Sequence, residues 1–264
     1  LSRYNFDLLQ EEGDIIFAAG QNNIISSSRG DDIVVSLGQK NAIYSGSEND
    51  LLFSAGQHNL VLGDGGNDLI FSAGQTNYVL SGSDDDTIIS AGQQNNVIAG
   101  SGDDIVLAMG ISNNILAQSG NDVILGFGSS NIVSGGAGED IMLAAGSSNI
   151  FLGGEDNDTI FGIGANNTVF GGSGDDWMLA GGTSNYFIDT QGKDTVVSIG
   201  ANNYVFTFDD NDTVVSFGTL NVIKTGEGND TLTVTDVSSR INAGAGNDEI
   251  NAGGFSNIFN GNAG

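Results

Sequence analysis

The chain has 264 residues, 42 of them glycine, with no proline and no cysteine, and its 33 acidic against 6 basic residues give a formal charge of −27. That balance excludes a nucleic-acid binder, because phosphate contacts need clustered Lys and Arg and the six here (Arg3, Arg29, Lys40, Lys193, Lys224, Arg240) are scattered. The lack of cysteine excludes disulfides and thiolate metal sites while leaving the redox compartment open, and apolar runs of only a few residues exclude a membrane-spanning helix.

Residues 1–12 depart from the pattern that governs the rest. Asn5 fits it, but Asp7 stands where an inward aliphatic residue belongs, so this segment is expected to be a degenerate half-coil or a cap. A single repeat domain is expected over 13–264. In steps of eighteen, aspartate returns at Asp14, Asp32, Asp50, Asp68, Asp86, Asp104, Asp122, Asp140, Asp158, Asp176, Asp194, Asp212, Asp230 and Asp248. Nine residues further on, the same step gives asparagine from Asn23 to Asn257, with Ser239 the one departure. Such a period marks a solenoid of about fourteen coils. Leu1 already stands near a repeat, Gly264 falls inside one, and no signal peptide precedes the repeats, so the chain is expected to be a piece of a larger protein.

Two residues after each ladder aspartate the position is apolar throughout (Ile16, Val34, Leu52 and onward to Ile250), and so is the position two after each asparagine (Ile25, Ile43, Val61 and onward to Phe259). With Gly, Ser or Ala at the next inward position and a six-residue turn between, each coil has two short strands facing each other across a thin core. The expected fold is all-β, a parallel β-roll or β-helix solenoid of eighteen-residue coils stacked about 4.8 Å apart, giving a rod roughly 65 Å long. Only its two ends would expose strand edges, and those ends need caps or further coils.

The two turns of each coil differ chemically. One side reads Gly135-Gly136-Ala137-Gly138-Glu139-Asp140 or Gly171-Gly172-Ser173-Gly174-Asp175-Asp176, and the other reads Ser54-Ala55-Gly56-Gln57-His58-Asn59 or Ala144-Ala145-Gly146-Ser147-Ser148-Asn149. The aspartate turns resemble the Gly-Gly-x-Gly-x-Asp-x-aliphatic-x nonapeptide of the repeats-in-toxin (RTX) family, the calcium-binding β-roll of secreted bacterial proteins, over nearly the whole chain. Calcium takes six to eight oxygens, and a glycine-rich turn offers carbonyls while each aspartate offers a carboxylate. The resemblance implies calcium ions along one edge, between successive rungs, held by the thirteen aspartates from Asp32 to Asp248. Fourteen rungs leave thirteen gaps, and thirteen divalent ions would carry +26 against the −27.

In the family both edges usually carry aspartate, whereas alternate nonapeptides here carry asparagine, a weaker calcium ligand. This halves the expected number of sites and leaves the amide column to hydrogen-bond from rung to rung. Two turns depart further: Glu48 stands where the third motif glycine belongs, and Thr207-Phe208-Asp209-Asp210-Asn211-Asp212 has no glycine, which puts sites at Asp50 and Asp212 in question.

Three residues after the ladder aspartates runs a second apolar column, from Phe17, Val35, Phe53 and Phe71 to Phe161, Leu179, Val197 and Val215, with Trp177 beside it. This column is expected to point outward. Either coil geometry tucks it against the rod, or the face packs on a second copy, a neighbouring domain or a host membrane.

Other motifs are explained by the repeat. Arg29-Gly30-Asp31 falls on turn positions, the Asn-x-Thr matches follow from composition, and His58, the only histidine, has no second ligand nearby. No nucleophile and base converge, so an enzyme is not expected. The resemblance implies a calcium-responsive structural module of a large toxin. Such a protein is exported unfolded by a one-step secretion system and is folded by calcium outside the cell or at a host surface. The eighteen-residue unit is most similar to the carboxy-terminal repeats of the multifunctional autoprocessing toxins. An adhesin, ice-binding or glycan-binding rod is the alternative, as is an accessory module of a carbohydrate-modifying enzyme; interrupted threonines (Thr87, Thr159, Thr195, Thr213, Thr231) speak against ice.

Overall fold

The computed structural model describes residues 4–8 and 13–261, and among them every regular element is a β-strand. The fold is the all-β parallel solenoid of about fourteen eighteen-residue coils that the period predicts. It divides into two compact units, 1–135 and 136–264.

In the first unit a five-residue strand follows each ladder aspartate, as in Ile33–Leu37 and Leu51–Ala55, and an eight-residue strand crosses the other side, as in Lys40–Ser47 and His58–Gly65. Each strand pairs in parallel with its equivalent eighteen residues on, Ile33 opposite Leu51 and Asn41 opposite Asn59. Equivalent positions of successive coils therefore stack on one another, and the absence of proline leaves every strand N–H able to donate.

In the second unit the lengths are exchanged. The strands after the aspartates grow to seven residues (Thr159–Ala165, Trp177–Thr183, Thr195–Ala201), while those of the opposite sheet shorten to three from Tyr186–Ile188 through Tyr204–Phe206 to Val222–Lys224. Regular pairing has moved from the aspartate turns to the asparagine turns. Backbone conformation moves with it: positive φ occurs at Ser148, Asn166, Ser184, Asn202, Leu220 and Ser238, each just before an asparagine-column residue.

Burial alternates along the strands as a half-buried pleat requires. Both inward columns are sealed, with Ile25, Ile43, Val61, Val34, Leu52 and Ile70 at 0 % exposure in the first unit and Phe151, Phe187, Met142 and Met178 at 0 % in the second. Each such aliphatic side chain contributes about 1.5–3 kcal/mol on burial. In strands Glu249–Phe255 and Ile258–Gly261 the seal is lost, for Ile250 is half-buried and Phe259 is 43 % exposed. No further described coil covers them.

The outward column points out as expected. Phe17 is 66 % and Phe53 39 % exposed, and most of the others are half-buried because they lean on the next rung, as Phe53 on Phe71 (centroids 6.5 Å) and Phe161 on Trp177 (5.1 Å). Of the segment expected to be a cap or half-coil, 1–12, only strand Tyr4–Leu8 is described, paired in parallel with Asn22–Arg29; the remainder lies outside the described residues, as do 262–264.

Candidate metal centre: a buried column of aspartates

The ladder aspartates stand at the mouths of strands, and within each unit the carbonyl of one accepts the N–H of the residue nineteen further on: Leu51 donates to Asp32 and Leu69 to Asp50, both at 2.8 Å. This holds the rungs in register. Within each unit the backbone N–H of one column aspartate in turn donates to Oδ1 of the next carboxylate. The distance is 2.8 Å from Asp32 to Asp50, Asp50 to Asp68, Asp68 to Asp86 and Asp86 to Asp104, and 2.7 Å from Asp104 to Asp122. In the second unit the same bond joins Asp140 to Asp158, Asp158 to Asp176, Asp176 to Asp194, Asp194 to Asp212, Asp212 to Asp230 and Asp230 to Asp248, at 2.7–3.1 Å.

The column that sequence alone places on an acidic edge is thus drawn inside. From Asp32 to Asp230 no ladder aspartate is more than 3 % exposed, and Asp248 is half-buried. Spending Oδ1 on the backbone leaves Oδ2, and for Asp32, Asp50, Asp68, Asp86, Asp104, Asp158, Asp176, Asp212 and Asp230 that oxygen is buried with no hydrogen-bond partner. Asp50 and Asp212, in the two irregular turns, share this geometry. Glu48 takes the positive φ of the missing glycine (82°), and Asp210 does so in the glycine-free turn (73°), a region the short aspartate side chain tolerates better than most.

Buried carboxylates lacking compensating charge resist ionisation. Burial is the chief cause and the N–H of the preceding rung opposes it: Asp50 and Asp86 are pushed up to about 6, Asp104 to about 7, and Asp68 and Asp158 to about 8. The two least shifted of these sit beside serine hydroxyls, Ser45 and Ser81, and the two most shifted beside Gly63 and Gly153, five residues upstream. Asp212 and Asp230 are also raised by burial, eased by Thr207 and Thr225.

The space in front of the free oxygens suits a hard cation. A Cβ added to Gly63 would collide with Asp68 Oδ2 and with the carbonyl oxygen of Ser81, and one added to Gly153 would meet Asp158 Oδ2 and the carbonyl of Gly171. A carboxylate oxygen from one coil and a carbonyl oxygen from the next thus lie close together against the glycine. All-oxygen donors, a net negative charge and burial are what calcium selects.

One acid in this neighbourhood lies off the eighteen-residue series of aspartates. Asp189 lies five residues before Asp194, and it faces Asp176 and Asp194 with one carboxylate oxygen from each of the three within 4.8 Å of the others. Its signal in the sequence is a charge in a column otherwise small and neutral: Ser45, Gly63, Ser81, Ala99, Gly171, Thr207.

A second ladder also escapes the eighteen-residue count of aspartates. The residue just before each ladder aspartate is mostly Asn or Asp, and its side chain accepts the N–H of the next rung: Asp31 from Asn49 (3.0 Å), Asn49 from Asn67 (2.7 Å), Asp85 from Asp103 (2.8 Å). This outer ladder is exposed and runs in the opposite sense to the buried one. Asp31 belongs to it, which fixes Arg29-Gly30-Asp31 as part of the turn.

The asparagine edge forms the amide ladder in the first unit, with Nδ2 of Asn23, Asn41, Asn59, Asn77 and Asn95 each donating to Oδ1 of the next asparagine at 2.6–3.0 Å. Gly56 makes room for it, since a Cβ there would lie 2.9 Å from Asn41 Nδ2. In the second unit the asparagines instead copy the aspartates. Asn167, Asn185 and Asn203 donate their backbone N–H to Oδ1 of the next asparagine at 2.9–3.0 Å, and their Nδ2 groups are buried without a partner. Ser239 keeps the chain of bonds unbroken by accepting from Asn221 through Oγ at 2.9 Å. His58 is exposed, in register with Lys40.

A family model described as the RTX calcium-binding nonapeptide repeat (4 copies) matches residues 11–43, 44–79, 81–110, 107–142, 144–178, 152–187, 224–259 and 242–264. No curated protein and no solved structure matches the chain.

Proposed function

With most of its length matched, the chain belongs to the RTX calcium-binding repeat family, and from that premise we propose that it is a structural module whose folding calcium controls after export from a bacterial cell. The observation that supports this is the row of buried Oδ2 atoms without partners, from Asp32 through Asp104 and again at Asp158, Asp176, Asp212 and Asp230. A bound divalent cation supplies the positive charge that the column lacks.

The residues divide the labour. The Oδ1 atoms set the register, the glycine-rich turns aim carbonyls inward, and the Oδ2 atoms hold unneutralised charge in a medium that penalises it. Where calcium is scarce, like charges one rung apart oppose coiling and the polyanion stays extended, a form suited to export through a narrow channel. Where calcium is abundant, binding free energy becomes folding free energy, because the unfolded chain holds no such cradle. The alternation of aspartate and asparagine turns supports a place in the carboxy-terminal repeats of a multifunctional autoprocessing toxin. The part assigned to the module is structural, not catalytic.

Circular dichroism during a calcium titration, followed by chelator, tests this reading. β-structure is expected to appear with calcium, to disappear with chelator, and to respond weakly to magnesium, which demands a small octahedral shell and sheds water reluctantly. A β-spectrum and melting curve unchanged after exhaustive removal of divalent ions would refute it.

A further inference from the structure

Five residues before each ladder aspartate from Asp32 onward the chain carries Ser, Gly, Ala or Thr, with the single exception of Asp189. It follows strand Tyr186–Ile188, and its N–H donates to the carbonyl of Phe206 at 2.9 Å, which fixes its backbone on the coil. The side chain is anchored by Oδ1, which accepts from the N–H of Thr190 at 2.6 Å and of Gly172 at 3.4 Å. Oδ2 is left aimed inward, on a residue 1 % exposed, and it has no hydrogen-bond partner.

Gly171 is what lets it in. A Cβ at that position would collide with Asp189 Oδ2 and with Asp176 Oδ2, so the glycine of one coil opens the space that the carboxylate of the next one fills. Asp176 Oδ2 is likewise buried and unpartnered, and Asp194 completes the group at 2 % exposure. One oxygen from each of the three lies within 4.8 Å of the others. Two oxygens sharing one calcium at about 2.4 Å can be no more than about 4.8 Å apart. Lys193, next in sequence to Asp194, is exposed.

We infer that Asp176, Asp189 and Asp194 form a three-carboxylate cation site, richer by one buried carboxylate than any other rung of the aspartate column, that takes calcium more tightly than the rest of the column and accepts trivalent lanthanides. The inference rests on the reading of the column as a calcium ladder and adds to it a ranked site. Affinity of oxygen sites rises with ligand charge, and here the charge is higher than at Asp68 or Asp158, where the equivalent upstream residue is glycine.

The experiment uses the full chain, Asp189→Ser and Asp189→Asn, with calcium and terbium as probes. Serine restores the residue found at positions 27, 45 and 81, and asparagine keeps the Oδ1 acceptor while removing charge. Removing a buried charge favours the cation-free coil, so both variants fold at least as readily as the parent. Calorimetric titration of the parent is expected to resolve one calcium bound about tenfold or more tighter than the others, and both variants are expected to lose that step and keep the weaker ones. Terbium emission excited through Trp177, the sole tryptophan and the residue after Asp176, is expected to saturate near one equivalent in the parent and to need about tenfold more metal in the variants. Parent and variants binding calcium in the same number, with the same affinities, would overturn this inference and leave the ladder standing. A parent that binds no calcium would overturn both.

Discussion

The backbone N–H of Asp68 donates to Oδ1 of Asp86 at 2.8 Å, and Oδ2 of the same Asp86 carboxylate is buried with no donor. One oxygen is structural and the other carries the charge, so the two roles can be separated by substitution. Asp86→Asn retains an Oδ1 acceptor and removes the charge. In chelator this variant is expected to be more stable than the parent, and in calcium it is expected to bind about one ion fewer. Asp86→Ala removes both roles and strands the Asp68 N–H, at a cost of about 1–3 kcal/mol. Circular dichroism in chelator and urea denaturation in calcium check the pair, and an Asp86→Asn variant that holds less β-structure than the parent as calcium is withdrawn would show that the charge is not what opposes folding.

The raised acidities fix a pH dependence and its sign. The folded-state values of Asp50, Asp104, Asp68 and Asp189 lie at about 6, 7, 8 and 9, above the ordinary 3.8 of an unfolded chain. Between those limits the folded state binds more protons than the unfolded state, so stability without cation falls as pH rises. It is highest below pH 3.8 with respect to these groups and is lost progressively up to about pH 9. Saturating calcium, which competes with protons for the same oxygens, is expected to reverse the slope. Circular dichroism in chelator across this range is the check: β-structure is expected at the acid end and is lost toward pH 9, and a gain as pH rises would contradict the burial of the column.

The eighteen-residue step, the two sealed columns and the positive φ of the glycines two residues before the ladder aspartates are all legible in residue types, because each depends on one residue repeated in one local setting. The burial of the aspartates is not. A charged residue in a turn argues for solvent, and only the bond from the preceding rung's N–H, a contact eighteen residues away, turns it inward. Nor does the asparagine column announce its change of partner, since Asn41 and Asn185 are the same residue at the same step. The difference lies in the turn before them: Gly38 lies close against the amide ladder in one, and Ser184 at φ 57° reshapes the backbone in the other. Asp189 was hidden for a plainer reason, standing in a column whose other members carry no charge.

That contrast predicts opposite tolerance to one substitution. Asn59 uses Nδ2 twice, donating to the Ala73 carbonyl at 3.0 Å and to Asn77 Oδ1 at 2.8 Å. In Asn59→Asp an oxygen would face two acceptors, and each buried acceptor left unsatisfied costs about 1–3 kcal/mol. Asn185 accepts from the Asn167 N–H through Oδ1 and uses Nδ2 for nothing. Asn185→Asp therefore loses no hydrogen bond and creates a rung like those of the aspartate column. In saturating calcium it is expected to unfold within about 1 kcal/mol of the parent, with Asn59→Asp well below both. Equal losses in the two variants would mean that the two halves of the asparagine column do not differ in the way described.

The core of the second unit holds a compensated pair. Phe151 occupies a column filled by Val133 and Val169 on its neighbours, and Gly162 one filled by Ala144 and Ala180. A Cβ on Gly162 would lie 3.2 Å from Phe151 Cε2 and 3.7 Å from Ala180 Cβ, so the ring fills the volume that the glycine vacates. Gly162→Ala alone presses a methyl group against the ring and is expected to cost about 1–3 kcal/mol. Phe151→Val alone leaves a cavity, at a cost of about 2 kcal/mol or more. The double variant restores the pairing found on the adjacent coils, and its loss is expected to fall short of the sum of the singles by about 1–3 kcal/mol. Denaturation of the four proteins in saturating calcium gives the coupling directly. Additive losses would mean that Phe151 is accommodated by some other adjustment of the coil, and that this thin core relaxes along its length where the stacking of identical rungs predicts that it cannot.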